Sequence, residues 1–427
     1  MKRFTCLHVL TAILMLTSSI SFAETTVTPE LTVKEEYNDN IFLDSYGEEE
    51  DFITIVSPGI VLEYAPAASL KLALDYRLDY RFHSRHSELD RTAIKDTQEV
   101  RFNARAGPFR RFFIDVSDNY RRVPVDIRRP FAEGNVSENM TATNVFEISP
   151  HGEYPLTPTL LSRFGYTYTS TWYDAEEGND SDSHTAFASL NKRFPFRLNV
   201  SVNYRFLAHR PELTGRYDSH RGSVAADYRV GPHWTVRGEA GKTYIDFSGA
   251  SDEETDFWSA GSEYRLDILG GSVLSAAYSN SLLQPGSESL QSGGGIESSI
   301  TRGATERQRA DLSLSAGEPF EMTVNPYYIK DRELKSGMED RIRGIAVDIK
   351  KSLSTAISAA VHGLWEKQRF LPEDDNVYRY SLRGGFDYKP GRNITAGIEY
   401  IYNYRDSDTG TGDFHNNIVR VQAKLVF

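Results

Sequence analysis

In residues 70–82, LKLALDYRLDYRF, an apolar or aromatic side chain recurs at every second position: Leu70, Leu72, Leu74, Tyr76, Leu78, Tyr80 and Phe82. Lys71, Ala73, Asp75, Arg77, Asp79 and Arg81 fill the positions between them. Successive strand side chains point to opposite faces, whereas a helix would scramble the two sets, so the stretch predicts a strand. Its length argues against a sandwich, whose strands usually run to about five or six residues. Thirteen residues at roughly 3.3 Å each span about 43 Å, and a tilt of about 45° projects this onto roughly 30 Å, enough to cross an outer-membrane apolar band of about 25 Å. The stretch reads as one stave of a barrel, with one face to lipid and the other to the lumen.

The same alternation recurs along the chain. Val100, Phe102 and Ala104 alternate with Arg101, Asn103 and Arg105, and the run from Phe196 to Phe206 alternates with Arg197, Asn199, Ser201, Asn203 and Arg205. Near the end, Tyr378 to Tyr388 alternate with Arg379, Ser381, Arg383 and Asp387. The connections alternate too. Short links at 65–69, 106–110, 154–158, 193–197, 230–234, 269–272, 317–320, near Ser352 and at 389–392 are separated by long polar stretches such as 38–50, 120–140 and 281–305. Short periplasmic turns and long external loops are the habit of outer-membrane barrels. Nine short links join ten hairpins, so the expected fold is all-β: a transmembrane antiparallel up-and-down barrel of about 20 strands (18–20). Phe112, Phe196 and Trp234 beside short links, with Tyr80, Phe82, Trp172, Tyr402 and Tyr404 beside long ones, fit two interfacial girdles.

The ends set the compartment. Lys2 and Arg3 precede an apolar run from Leu7 to Leu16, and Ser21-Phe22-Ala23 fits a cleavage site, so residues 1–23 read as a signal peptide and 24–427 as the barrel. Cys6, the chain's one cysteine, leaves with the signal, which rules out disulfides and thiolate metal sites in the remainder. The mean hydropathy of −0.47 resembles that of a soluble protein, but a stave with a polar inner face averages out in the same way. In VRVQAKLVF, Val419, Val421, Ala423, Leu425 and Phe427 share one face, opposite Arg420, Gln422 and Lys424. A terminal Phe on such a strand resembles the signal that the barrel assembly machinery recognises in bacterial outer-membrane proteins, which assigns Phe427 that role and the chain the cell outer membrane.

Charge is unevenly placed. The formal net charge is −12, and acids gather in the long loops at 38–51, 173–182, 251–256, 372–376 and 405–413. The clearest staves instead carry Lys71, Arg77, Arg81, Arg101, Arg105, Arg197, Arg205, Arg379, Arg383, Arg420 and Lys424 on the polar face, against Asp75, Asp79 and Asp387. Such a wall would favour anions. Alternatively, Arg and Asp on neighbouring staves pair and brace the interior. One loop departs from the acidic pattern: YRRVPVDIRRPF, 120–131, with Arg121, Arg122, Arg128 and Arg129 between Pro124 and Pro130. It is a candidate for folding into the pore as a constriction, or for an external contact with lipopolysaccharide phosphates. The rim histidines His83 and His86, near Ser84, Ser87 and Glu88, could be drawn as a triad, but they sit in no catalytic motif.

VTPELTVKEEYNDNIFLDS (27–45) and DFITIVSPGIVLEY (51–64), through Asp39-Asn40-Ile41-Phe42 and Ser57-Pro58-Gly59, resemble the putative beta-barrel porin type 2 family of outer-membrane proteins. The resemblance implies a role in exopolysaccharide export. The expectations that follow are a non-enzymatic pore with no cofactor, metal or nucleic acid, whose partners are outer-membrane lipid and lipopolysaccharide, the assembly machinery and polysaccharide export components. A passive porin for small anionic solutes is the alternative, and an enzyme or adhesive barrel comes third.

Overall fold

The computed structural model describes residues 25–427 apart from 68, 127–128, 133–138, 177, 250, 267–270, 284–303, 318–319, 335, 372–373 and 411. The proposed signal peptide therefore lies outside the described residues. The first quarter of the wall is β1 (Thr25–Asn38), β2 (Asp51–Ala67), β3 (Leu70–Leu78), β4 (Tyr80–His83), β5 (Gln98–Phe109) and β6 (Phe112–Pro124). Next come β7 (Met140–Thr157), β8 (Leu160–Tyr173), β9 (Ser181–Arg193), β10 (Leu198–Pro211) and β11 (Tyr217–Arg229). The wall continues with β12 (Trp234–Phe247), β13 (Glu253–Leu266), β14 (Ser272–Leu283), β15 (Thr305–Ala316) and β16 (Glu321–Glu333). It ends with β17 (Glu339–Ser352), β18 (Ile357–Leu371), β19 (Asp375–Tyr388), β20 (Ile394–Ser407) and β21 (Phe414–Val426).

All pairings are antiparallel, neighbour to neighbour, and β1 closes on β21 from Glu30↔Val426 to Asn38↔Ile418. β3 and β4 pair with β2 in one unbroken register, from Gly59↔Arg77 to Ile53↔His83, and are two pieces of one stave interrupted at Asp79. The barrel thus has twenty staves. Closure leaves no free edge, so every stave finds its backbone partners within the sheet, as a wall in lipid requires. The nine short links all stand at one end and the ten long ones at the other.

Alternation gives the wall its two faces. Val202, Val224, Val361, Leu382, Ile398 and Val421 point outward and are exposed in the bare chain, forming a belt for lipid. Phe112, Phe196 and Trp234 are exposed at the turn end, and Phe82 and Trp172 at the loop end, as two interfacial girdles.

The first and last staves are stapled at the loop end by the Asn-rich stretch after β1. Asn416 donates from Nδ2 to Asn38 Oδ1 (2.6 Å) and to the Asn40 carbonyl (3.1 Å). Asn40 in turn donates to the carbonyls of Asp44 (2.7 Å) and His415 (2.9 Å). The Asp39 carboxylate accepts from the backbone N–H and side-chain amide of Asn417, both at 2.6 Å. Asn38, Asn40 and Asn416 are fully buried, and each amide offers donors and an acceptor together, which is why amides suit a closing seam.

Candidate functional site

The lumen is built by the inward position of each rung. Lys71, Asp75 and Arg77 of β3, Arg81 of β4, Arg101 and Arg105 of β5, Arg205 of β10, Arg379 and Arg383 of β19, and Arg420 and Lys424 of β21 all occupy the inward register, with Asp79 at the interruption between β3 and β4. Arg197 departs from the expectation: it lies in the turn before β10 with φ of 60°, not on a stave. The Phe-Pro-Phe turn breaks the alternation one residue before pairing resumes at Leu198.

The expected excess of basic charge on the wall is largely balanced. Arg420 donates from Nε (3.0 Å) and Nη2 (2.6 Å) to Glu36 and from Nη1 to Glu399 (2.7 Å). Arg379 pairs with Glu366 at 2.9 Å, Arg383 with Glu399 at 3.2 Å, and Lys424 with Glu30 at 2.8 Å. Arg105 lies 3.6 Å from Asp115 and 3.8 Å from Glu153. Arg307 grips Asp331 with two bonds of 2.7 and 2.6 Å. The counter-acids sit on β1, β6, β7, β16, β18 and β20, staves whose alternation in the sequence is less regular. Arg101 and Arg205 form no ion pair within 4 Å among the described residues, and both are exposed to the lumen.

Burial divides the lumen into two halves. Toward the turn end the inward residues Lys71, Arg105 and Asp227 are exposed, as are Arg101 and Arg205 at mid-wall. Toward the loop end the inward positions become apolar and close-packed. Ile53 and Ile55 pack with Ile41 of the first long loop, and Leu207, Tyr217, Ile245 and Phe247 pack with Ala304. A third cluster joins Val123, Val125 and Tyr173. Inward isoleucines there have no counterpart in the expectation of a polar wall.

The connection between β6 and β7 crosses this half. Asn139, buried at its base, accepts from the Asp126 N–H (2.9 Å) and donates to the Asp126 carbonyl (2.6 Å). Phe131 then packs with Ile329, Ile342, Phe370 and Val377 of β16 to β19, the far side of the barrel. The Arg379 guanidinium caps the Phe131 ring at 3.9 Å while holding Glu366. Beside it, a Cβ on Gly412 would come within 2.6 Å of Pro130 Cγ, so the last long loop abuts the same segment. The expectation of a basic constriction needs correcting. Arg121 and Arg122 belong to β6, where the ladder continues to Pro124, and Arg122 donates to the Met140 carbonyl at 2.9 Å. Arg128 lies outside the described residues, and Arg129 is exposed with its N–H on the Asp126 carbonyl. What reaches across is an aromatic ring. The signal for it in the sequence was only a proline-stiffened loop containing a Phe.

At the rim, His86 stands between two carboxylates, Nδ1 at 3.1 Å from Asp51 and Nε2 at 2.6 Å from Glu49. Asp51 also accepts from Ser84 Oγ (2.7 Å) and from the backbone N–H groups of Ser84 and Arg85. The hydrogen bond to Glu49 chiefly, and that to Asp51, raise the His86 pKa. Both ring nitrogens are thus engaged, and His86 clamps the first long loop to the second.

No family model and no curated protein matches the chain. Among solved structures, it is similar to a mutant ferric enterobactin receptor of Pseudomonas aeruginosa (10% identity, TM-score 0.54, 96% of this chain and 81% of that one). Another mutant of that receptor, in complex with enterobactin, gives 10% identity and a TM-score of 0.55 over 96% of this chain and 82% of that one. An unliganded ferric citrate transporter gives 11%, 0.52, 94% and 78%. At such identities the likeness extends to the fold alone, a closed antiparallel barrel; the outward apolar belt and the two aromatic girdles of this chain's own wall place it in the outer membrane.

Proposed function

We propose that the protein is an outer-membrane conduit held closed at rest by the segment that carries Phe131, and that it serves exopolysaccharide export. The carrying observation is the docking of Phe131 on the opposite wall, beneath Arg379 and among Ile329, Ile342, Phe370 and Val377. A passive pore gains nothing from an apolar anchor across its lumen, whereas a gated one needs a contact that can be made and released. The solute class rests on the resemblance carried by Asp39-Asn40-Ile41-Phe42 and Ser57-Pro58-Gly59. Paired wall charges suit a long, weakly charged polymer, since they offer many hydrogen-bonding groups and little net field. The reading includes no catalytic step and no cofactor. The partners it entails are lipid, lipopolysaccharide, the assembly machinery and polysaccharide export components.

A passive porin for small anions is favoured by one observation, the exposed Arg101 and Arg205 at mid-wall. Planar-bilayer conductance of residues 24–427, beside a variant with 126–138 replaced by a short turn, separates the readings. The gated reading expects silence in the intact barrel and steady current in the shortened one. Steady anion-selective current in the intact barrel establishes the porin, and silence in both establishes a filled barrel. Loss of secreted polysaccharide on deleting the gene, restored by the intact chain, tests the solute.

A further inference from the structure

On the lipid side of β16 to β19, just inside the loop end, two successive rungs carry cations directly opposite one another. Lys330 pairs across the sheet with Arg341, and Arg341 with Arg369. One rung lower, about 6.8 Å toward the membrane, Arg343 pairs with Lys367. Their chain neighbours Ile329, Ile342, Gln368 and Phe370 are buried inside, so the alternation places the cations outside. Like charges facing across a ladder are destabilising, and acids relieve only part of this row. Glu339 serves both Arg341 (2.5 Å) and Lys330 (3.1 Å), Asp374 takes Arg369 (2.6 Å), and Lys367 rests on Tyr378, its Nζ donating to the hydroxyl at 2.6 Å. Arg343 is exposed and has no acid within 4 Å among the described residues.

Directly below, the next two rungs form an apolar groove. Ile345, Trp365, Tyr380 and Tyr404 make one row, and Val347, Gly363, Leu382 and Tyr402 the next. The groove is shallow and open to the outside, with a volume of about 640 Å³. It exists because Gly363 stands between Val347 and Leu382: a Cβ there would meet nothing within 4 Å.

We propose that this face binds one occupant, a phosphorylated, multiply acylated glycolipid of the outer leaflet, the lipid A anchor of lipopolysaccharide. Its phosphates lie on Arg343, Lys367 and the Lys330–Arg341–Arg369 row, and an acyl chain lies in the groove beneath. The argument is the vertical order: cations at headgroup depth, aromatic side chains at the interface, an apolar recess below, at the end where the long loops stand. A guanidinium is suited to phosphate because its fork matches two oxygens at once. A soluble acidic protein would match the cations but not a recess buried at acyl depth, and an ordinary lipid chain would match the recess but leave the rows opposed.

The test is native mass spectrometry of the full mature barrel in detergent, titrated with purified lipid A, with lipid A lacking one phosphate, and with phosphatidylglycerol. Heat-modifiable gel mobility confirms that each variant is folded. Arg343→Gln with Lys367→Gln is expected to weaken lipid A binding about tenfold, loss of one phosphate to do the same to the unsubstituted barrel, and Arg343→Lys to restore most of the affinity. Gly363→Leu, which fills the groove without a clash, is expected to weaken binding by a similar factor. Unchanged affinity in both the charge and the groove variants overturns the site, as does phosphatidylglycerol binding as tightly as lipid A. An acidic protein that binds the variants and the parent differently while lipid A does not would overturn it in favour of a protein partner.

Discussion

Arg420 ties three staves together through one side chain, since its guanidinium on β21 reaches Glu36 on β1 and Glu399 on β20. Glu36 is buried, and its second oxygen has no hydrogen-bond partner, so its charge depends on Arg420. Removing one partner of a buried pair costs roughly 3–5 kcal/mol because the other charge is left uncompensated. Arg420→Ala is therefore expected to lower the thermal midpoint of the heat-modifiable gel shift, and Arg420→Ala with Glu36→Gln to recover part of the loss. An additive double variant would show that the two side chains act independently. At the rim, His86 has a folded-state pKa raised above its usual value near 6.5 by Glu49 and Asp51. The sign follows from linkage: the clamp is fully present below about 6.5 and is lost as pH rises through the raised folded value. Limited proteolysis of the first two long loops is expected to quicken from pH 6 to pH 8 in the parent. In His86→Gln the rate should be fast at both values, and a parent rate independent of pH would refute the clamp.

The seam and the segment carrying Phe131 belong to the scale of whole elements. Asn40 satisfies carbonyls from the first long loop and from the start of β21 at once, so Asn40→Ala leaves buried groups unpaired at about 1–3 kcal/mol each. Hydrogen exchange is expected to quicken first at the β1–β21 ladder, ahead of the rest of the barrel. Uniform quickening would mean that the motif serves some other role. Phe131→Ala removes an anchor of the kind that costs roughly 3–5 kcal/mol in packed clusters, and it is expected to turn a silent barrel into one that conducts in bursts. These elements show what the sequence disclosed. Alternation and link length were sufficient for twenty staves and both ends, because period two is a property of each stave alone. In Asp51–Ser57, however, Phe52, Thr54 and Val56 face out while Ile53 and Ile55 face in, so both faces read as apolar and the inward packing is hidden. The docking of Phe131 was hidden for another reason: its partners Ile329 and Phe370 lie some two hundred residues onward in the chain. Pairing across the wall was one of two readings the sequence left open, and its particular partners were not legible because the counter-acids occupy less regular staves, while the Asp39-Asn40 motif was conspicuous without its purpose being legible.

The molecule as a whole is a cup that opens toward the short turns. Exposed charges line the half near the turns, and buried isoleucines, aromatic rings and the Phe131 contact fill the half near the loops. Aqueous access to the lumen should therefore be one-sided. The segment 24–427 has no cysteine of its own, so a single introduced thiol reports cleanly. Arg205→Cys, exposed in the open half, is expected to react quickly with a membrane-impermeant maleimide supplied from the periplasmic face and slowly from outside, whereas Ile401→Cys, fully buried near the loop end, should resist from both sides. Adding Phe131→Ala should make Arg205→Cys reactive from outside without changing its rate from the periplasm, because the contact released lies between the thiol and the external solution only. Equal labelling of Arg205→Cys from both faces in the parent would mean that water already passes the apolar half, and the protein would then be a pore that stands open.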